Sequence, residues 1–192
     1  GIIGVAIGVL YTVQPIALKY HALGDLAVFL DFGILGALGA WTVQTGTPSW
    51  IPAVWAIPMS MLVVAILHAN NWRDIQSDKK SDVKTVAALL GDRGSFIYYG
   101  FLVPGAFGVY VLLLIFTRLI NPFKPELPLT FLLIFCTFPL AMKLMYRGKM
   151  RKSAKGEHSF ITLDAGTSLL NLLFGLLSTG AVLLYALLNR WQ

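Results

Sequence analysis

Between His68 and Thr85 the sequence reads HANNWRDIQSDKKSDVKT, and it gathers the residue types that hold a cation against phosphate. Asn70, Asp74, Asp78 and Asp82 recur at every fourth position, which on a helix lines them along one slowly drifting face. No Pro or Gly stands between His68 and Lys84, so the spacing predicts a helix that runs on from the apolar segment before it. Like charges four residues apart destabilise a helix by about a few tenths of a kcal/mol per pair, so a row of carboxylates suggests a bound cation. Magnesium takes one or two carboxylates and completes its shell with phosphate oxygens and water. Arg73, Lys79, Lys80 and Lys84 lie between and beside the acids and suit the remaining charge of a diphosphate. Spacing alone leaves a second reading open, that of a solvated loop at the edge of a membrane.

The elements around this stretch must be membrane spans. Of 192 residues, 57% are hydrophobic and 12% charged, with a mean hydropathy of +0.73, which excludes an ordinary soluble domain. Apolar runs cover 51–67, 96–117, 127–146 and 165–189, and a fifth, 26–44, carries a single charge at Asp31. About 20 helical residues cross the hydrocarbon layer. The expected fold is all-α: a polytopic transmembrane bundle of about five full spans, forming one domain over 1–192. Residues 1–12, GIIGVAIGVLYT, are apolar but too short to span, and they lack a basic leader. They read as the end of a sixth span, and the chain as the carboxy-terminal part of something longer.

The bases set the orientation. Segments 13–25, 68–94 and 147–164 hold 11 Lys and Arg, and the alternate segments 45–50, 118–126 and 190–192 hold 3. That asymmetry places the charged loops in the cytoplasm. It also accounts for a pI near 9.6 without nucleic-acid binding. The single Cys136 lies in an apolar run, so no disulfide is expected. His21, His68 and His158 have no triad-like companions in the sequence, and no nucleophilic Ser or Cys is arranged for attack.

Other positions have bland readings beside sharp ones. Asp31 is an intramembrane carboxylate, six residues beyond Asp25, and could face a cavity near the interface. Gly33, Gly36 and Gly39 suit close helix packing. Pro104 and Pro139 are expected to kink their spans. The basic stretch 147–159 could meet anionic lipid or phosphate, though topology alone explains it. Asp164 reads as a helix start.

The stretch HANNWRDIQSDKKSDVKTVAALLG closely resembles the second aspartate-rich motif of the UbiA-type membrane prenyltransferases. Within that superfamily it is most similar to the 1,4-dihydroxy-2-naphthoate polyprenyltransferase branch of menaquinone synthesis. The resemblance extends upstream to YTVQPIALKYHALGDLAVFLDFG and downstream to DAGTSLLNLLFGLLSTG, and so covers essentially the whole chain. It implies a Mg²⁺-dependent enzyme that transfers a polyprenyl group from its diphosphate to an aromatic acceptor. Asp74 and Asp78 match the metal-binding, catalytic pair. Asn70, Asn71 and Arg73 match the polar residues ahead of it, Lys79 and Lys84 the bases after it, and Thr85 the later threonine. Tyr11 and Lys19 match the Tyr and Lys of the preceding loop. The resemblance also implies membrane lipid around the bundle and a bacterial inner membrane as its location.

Three departures stand out. Asp82 occupies a position where the family usually has Gly, and is either an extra ligand or a solvated acid. Lys79 replaces the usual Arg, keeping the charge and losing the bidentate fork. No first motif of the NDxxDxxxD kind is present in these residues, so half of the expected metal site is here. The alternatives are a prenyltransferase for 4-hydroxybenzoate, homogentisate or a tetrapyrrole, a non-catalytic membrane scaffold, and a small-molecule transporter. A transporter would show an internal repeat, and none is visible.

Overall fold

The computed structural model describes residues 1–119, 126–151 and 160–189. Backbone inside a hydrocarbon layer must find its hydrogen bonds within the protein, which a helix does within one segment. The described residues are accordingly helical, with α1 over Ile2–Thr12 followed by the first long span, α2, over Gly24–Thr45. Next come α3 over Ile51–Arg73, the short α4 over Ile75–Lys80 and α5 over Val86–Leu119. Finally α6 covers Leu129–Lys149 and α7 Leu163–Asn189. Five of these, α2, α3, α5, α6 and α7, are long and apolar enough to cross a membrane.

Helix α3 is the centre of the bundle, packed by α2, α5 and α7. Its buried side includes Leu62, Val64, Ala65 and Trp72, which meet Tyr99 and Phe107 of α5 and Phe174 of α7 in one apolar core. Lipid is as apolar as leucine, so close packing and polar pairs hold spans together. Tyr99 and Thr167 hydroxyls lie 2.6 Å apart, and those of Tyr110 and Ser178 3.3 Å apart, joining α5 to α7. Thr130 donates to the Ala181 carbonyl at 2.7 Å, joining α6 to α7. Ile97, Phe101, Leu172 and Leu183 are exposed, an outer face made for lipid.

Contacts between distant segments confirm that the spans alternate. The 13–25 segment meets 81–85 through a parallel bridge between His21 and Lys84. Arg73 at the end of α3 meets Asp164 at the start of α7, and Arg151 donates to the Trp72 carbonyl. The three basic segments therefore share one end of the bundle. At the opposite end Arg118 donates to the Leu127 carbonyl at 3.1 Å. The basic residues in 152–159 lie outside the described residues.

The helix breaks differ from those expected. Within α5 the non-helical backbone is at Gly91 (φ 64, ψ −174), a conformation open only to glycine, whereas Pro104 lies inside continuous helix. Pro139 sits in the first turn after a 3₁₀ stretch, Leu129–Thr137, where a missing N–H loses no bond. The glycines also divide. Of Gly33, Gly36 and Gly39, only Gly33 marks a close approach between spans: a Cβ there would stand 2.4 Å from Ser60 Cβ and 1.8 Å from its Oγ, while Gly39 faces open space.

Gly33→Ala is therefore expected to destabilise the protein by about 1–3 kcal/mol, the usual range for overpacking. Ser60→Gly in the same chain should restore most of the loss. Thermal unfolding in detergent measures both, and an unchanged Gly33→Ala protein would contradict the close contact.

Candidate functional site

The chain does not continue as one helix through the Asp-rich stretch, as the four-residue spacing had predicted. Asp74 ends α3 and begins α4 with non-helical torsions (φ −93, ψ 8). The break turns Ile75 inward, where it is buried beside the core that holds Trp72. It also brings the Asp74 carboxylate back against the side chain before it. Arg73 Nε lies 3.0 Å from Asp74 Oδ1 and Nη2 lies 3.2 Å from Oδ2, a two-point pairing. The same guanidinium donates to Asp164 Oδ2 at 2.7 Å and to Asn70 Oδ1. Arg73 thus ties together three acceptors from α3, the α3–α4 junction and α7.

Asp78 stands one turn further along α4, its amide bonded to the Asp74 carbonyl at 2.9 Å. Its carboxylate accepts from the Thr85 hydroxyl at 3.3 Å, and that hydroxyl in turn accepts from the Ala88 amide at 3.1 Å, capping the start of α5. Thr85 therefore holds Asp78 and opens the next span at once. Burial pushes the Asp78 carboxyl above the usual carboxylate range; the Thr85 hydrogen bond opposes this, and the neighbouring Asp74 charge adds to it.

The polypeptide then closes α4 with a tight cap in which the Val83 amide donates to the Asp78 carbonyl at 2.9 Å. Asp82 takes the left-handed position of that cap, φ 52, where glycine is the usual occupant. Its exposed side chain fits the solvated reading, and the row of four acceptors on one helix face is not formed. Of the bases, Lys79 and Lys84 are exposed, and Asn71 is half-buried.

The loop ahead of α2 reaches the same place through its backbone. The Lys84 amide donates to the Tyr20 carbonyl at 3.2 Å, and the Ala22 amide to the Lys84 carbonyl at 2.6 Å. A cleft of about 540 Å³ lies between the two loops, lined by Tyr20, His21, Ser81, Asp82, Val83 and Lys84 among others. Lys19 places its ammonium 4.7 Å from the centre of the Tyr20 ring. Tyr11, from the last turn of α1, lies against Gly24, where an added Cβ would stand 3.7 Å from its ring and hydroxyl. Asp31 is elsewhere: it lies in the π-helical part of α2, Phe29–Leu35, beside Gly4 and Gly8 of α1.

Sequence reasoning missed two residues here. Asp164 does lie in the first turn of α7, where one oxygen accepts from the Ala165 amide at 2.8 Å, but its other oxygen holds Arg73. Arg151 locks the end of α3: it donates to the Trp72 carbonyl, pairs with Asp92 at 2.9 Å and lies 4.6 Å from the Phe160 ring centre. Burial lowers the basicity of its guanidinium, and the Asp92 carboxylate opposes that. Its place within the basic stretch 147–159 is the one sequence hint.

Among the described residues no group of three His, Cys, Asp or Glu side chains could enclose a metal by itself. Two carboxylates one turn apart, flanked by Arg73 and exposed lysines, do fit a Mg²⁺ ion that is bound together with phosphate. Asp74 and Asp78 would hold it.

An acid whose folded pKa is raised binds its proton more tightly folded than unfolded, so its ionisation opposes folding as pH rises past about 4. Asp78→Asn removes that charge and leaves an acceptor for Thr85. Metal-free Asp78→Asn protein should then be at least as heat-stable as wild type at pH 7, with the difference shrinking toward pH 4. A variant less stable at pH 7 would show that ionised Asp78 supports the fold.

Comparison with known proteins agrees with the geometry. The pattern of the UbiA prenyltransferase family matches residues 1–163. The mouse protein named UbiA prenyltransferase domain-containing protein 1 is 36% identical over 175 residues, covering 91% of this chain and 47% of its own. Its zebrafish counterpart (Danio rerio) is 35% identical over 181 residues, 94% and 48% of the two chains. The human one is 33% identical over 178 residues, 91% and 46%. The chain spans about half the length of these relatives. They are animal proteins, and their shared name gives no acceptor, so the likeness reaches the superfamily and not one branch of it. On the family match and the five-span fold together, the chain belongs to the UbiA prenyltransferase family.

Proposed function

We propose that this chain forms the second half of the active site of a Mg²⁺-dependent enzyme that moves a polyprenyl group from its diphosphate to an aromatic acceptor. The observation that carries the reading is the cluster of Arg73, Asp74 and Asp78 at the polar end of an otherwise apolar bundle. The acceptor class we favour is a 1,4-dihydroxy-2-naphthoate-like diol. Its support is the likeness of NNWRDIQSD to the branch that uses this compound, and with that branch would come a bacterial inner membrane.

The chemistry sets what each residue must do. The C–O bond between the prenyl group and the diphosphate breaks, a C–C bond to an electron-rich ring carbon forms, and that carbon loses its proton. Bound Mg²⁺ supplies the positive charge that lets diphosphate leave. Arg73 would add to it: Asp164 and Asn70 hold its guanidinium beside Asp74, which with Asp78 would hold the ion. The fork suits two phosphate oxygens at once. Lys79 and Lys84 add screening charge from the loop, and Lys19 from the segment ahead of α2. The apolar bundle keeps water from the allylic cation. Thr85 keeps Asp78 aimed while it anchors α5.

The test is prenyl transfer by the full-length protein in membranes, with labelled polyprenyl diphosphate, Mg²⁺ and the naphthoate diol. Asp74→Ala and chelation by EDTA should each lower product by about 100-fold or more, the scale of losing one preorganised electrostatic group. Product from a different phenol alone would keep the reaction and replace the acceptor. No product from any acceptor would favour a scaffold.

Asp164→Asn should also weaken the reaction, since Arg73 would then keep Asp74 as its one carboxylate partner among these contacts. Its signature is a Mg²⁺ half-saturation raised by about 10-fold, in the range seen when a residue supporting a metal ligand is lost. Unchanged Mg²⁺ dependence would remove Asp164 from the site.

A further inference from the structure

Asp25 and His68 are buried, at 5% and 0% exposure, and neither takes part in the chemistry above. His68 Nε2 lies 3.3 Å from the Ser95 carbonyl oxygen. A carbonyl only accepts, so Nε2 carries a hydrogen. The other ring nitrogen, Nδ1, faces Asp25 Oδ2 at 3.7 Å, and neither atom has a hydrogen-bond partner among the described residues. In a neutral imidazole with this tautomer Nδ1 is a bare lone pair. Set against an ionised carboxylate away from water, it would leave two acceptors facing each other, a costly arrangement.

One further proton removes the conflict. We infer that Asp25 and His68 share a single proton, as imidazolium with carboxylate or imidazole with carboxylic acid, and that this proton fixes the Tyr11–Lys19 loop on the helix bearing Asn70, Arg73 and Asp74. Asp25 opens α2 next to Gly24, on which Tyr11 lies, so its position sets that of the loop. His68 is six residues before Asp74, which ends α3. The other titratable or charged groups around the pair are Tyr98 of α5, Tyr11 of α1 and Lys19 of the loop. The Tyr98 ring is 4.7 Å from His68, and Tyr98 lines the same cleft as Asp25. Tyr11 feels both the Asp25 and Lys19 charges. An apolar cleft of about 340 Å³, lined by Leu26, Phe29, Met61, Tyr98 and Phe101 among others, keeps the surroundings of Asp25 poorly screened. Asp25 and His68 are positioning residues, and their link to catalysis rests on the prenyl-transfer reading.

The experiment compares wild type with Asp25→Asn and His68→Gln, in the full-length protein, from pH 6 to 9.5. An amide at either position supplies a permanent N–H donor to its partner, so no titrating proton is needed. Wild type should lose thermal stability as pH rises and the shared proton leaves. Both variants should hold theirs, so that the gap in Tm changes by several degrees across the range. In prenyl transfer, the alkaline limb of kcat/KM, scaled to each protein's own maximum, should move up by about one pH unit or more in the variants. Parallel Tm profiles in wild type and both variants would overturn the shared proton. Flattened Tm profiles with an unmoved alkaline limb would overturn its role in holding the loop. The Tm measurement needs no substrate, so it judges the pair even if prenyl transfer itself is absent.

Discussion

Arg73 is the contact on which the polar end of this protein depends. Its guanidinium reaches Asp74, Asp164 and Asn70 together, and so fastens the last span to the central one where both leave the membrane. Without that cation two carboxylates and an amide would meet at a half-buried junction, repelling each other or requiring water. With it, the junction between α3 and α4 is held at a bend that no glycine or proline dictates. The Asp-rich loop then has a fixed origin, and Thr85 fixes its far end.

The apolar body and the charged loop impose opposite demands. Charge is expelled from the hydrocarbon layer, so the spans carry hydroxyl pairs such as Tyr99–Thr167 as their internal polar contacts, and the bases crowd at one end. A diphosphate needs that crowding, while its prenyl tail needs the apolar wall beside it. One asymmetric bundle meets both. Asp78 contributes less to folding than its neighbours do, since burial already disfavours its ionised form. That is the signature expected of a group kept for a ligand and not for the fold.

Much of this was legible in the sequence. Apolar runs of about twenty residues gave the spans, and the Lys/Arg asymmetry gave the shared end, because both follow from the cost of moving charge into hydrocarbon. The motif singled out Asp74 and Asp78, which the fold sets one turn apart. What could not be read was set by contacts between distant residues. Asp164 lies 91 positions from Arg73, and nothing local marks it as more than a first-turn acid. The bend at Asp74 comes from burying Ile75 and from the Arg73 fork, so a spacing rule that assumes a continuous helix misses it. The left-handed turn at Asp82 was hinted at only by the glycine expected there from the family resemblance. His68 looked like a lone histidine because its partner is on another span.

Manganese binding, followed by the loss of its free-ion EPR signal, tests the central claim most directly. With the full-length protein and Mn²⁺ in place of Mg²⁺, pyrophosphate should tighten binding strongly, and Asp74→Asn should abolish that enhancement while the fold persists. Binding that ignores both pyrophosphate and Asp74 would contradict the account, and would leave the charged loop as the polar edge of a membrane bundle and nothing more.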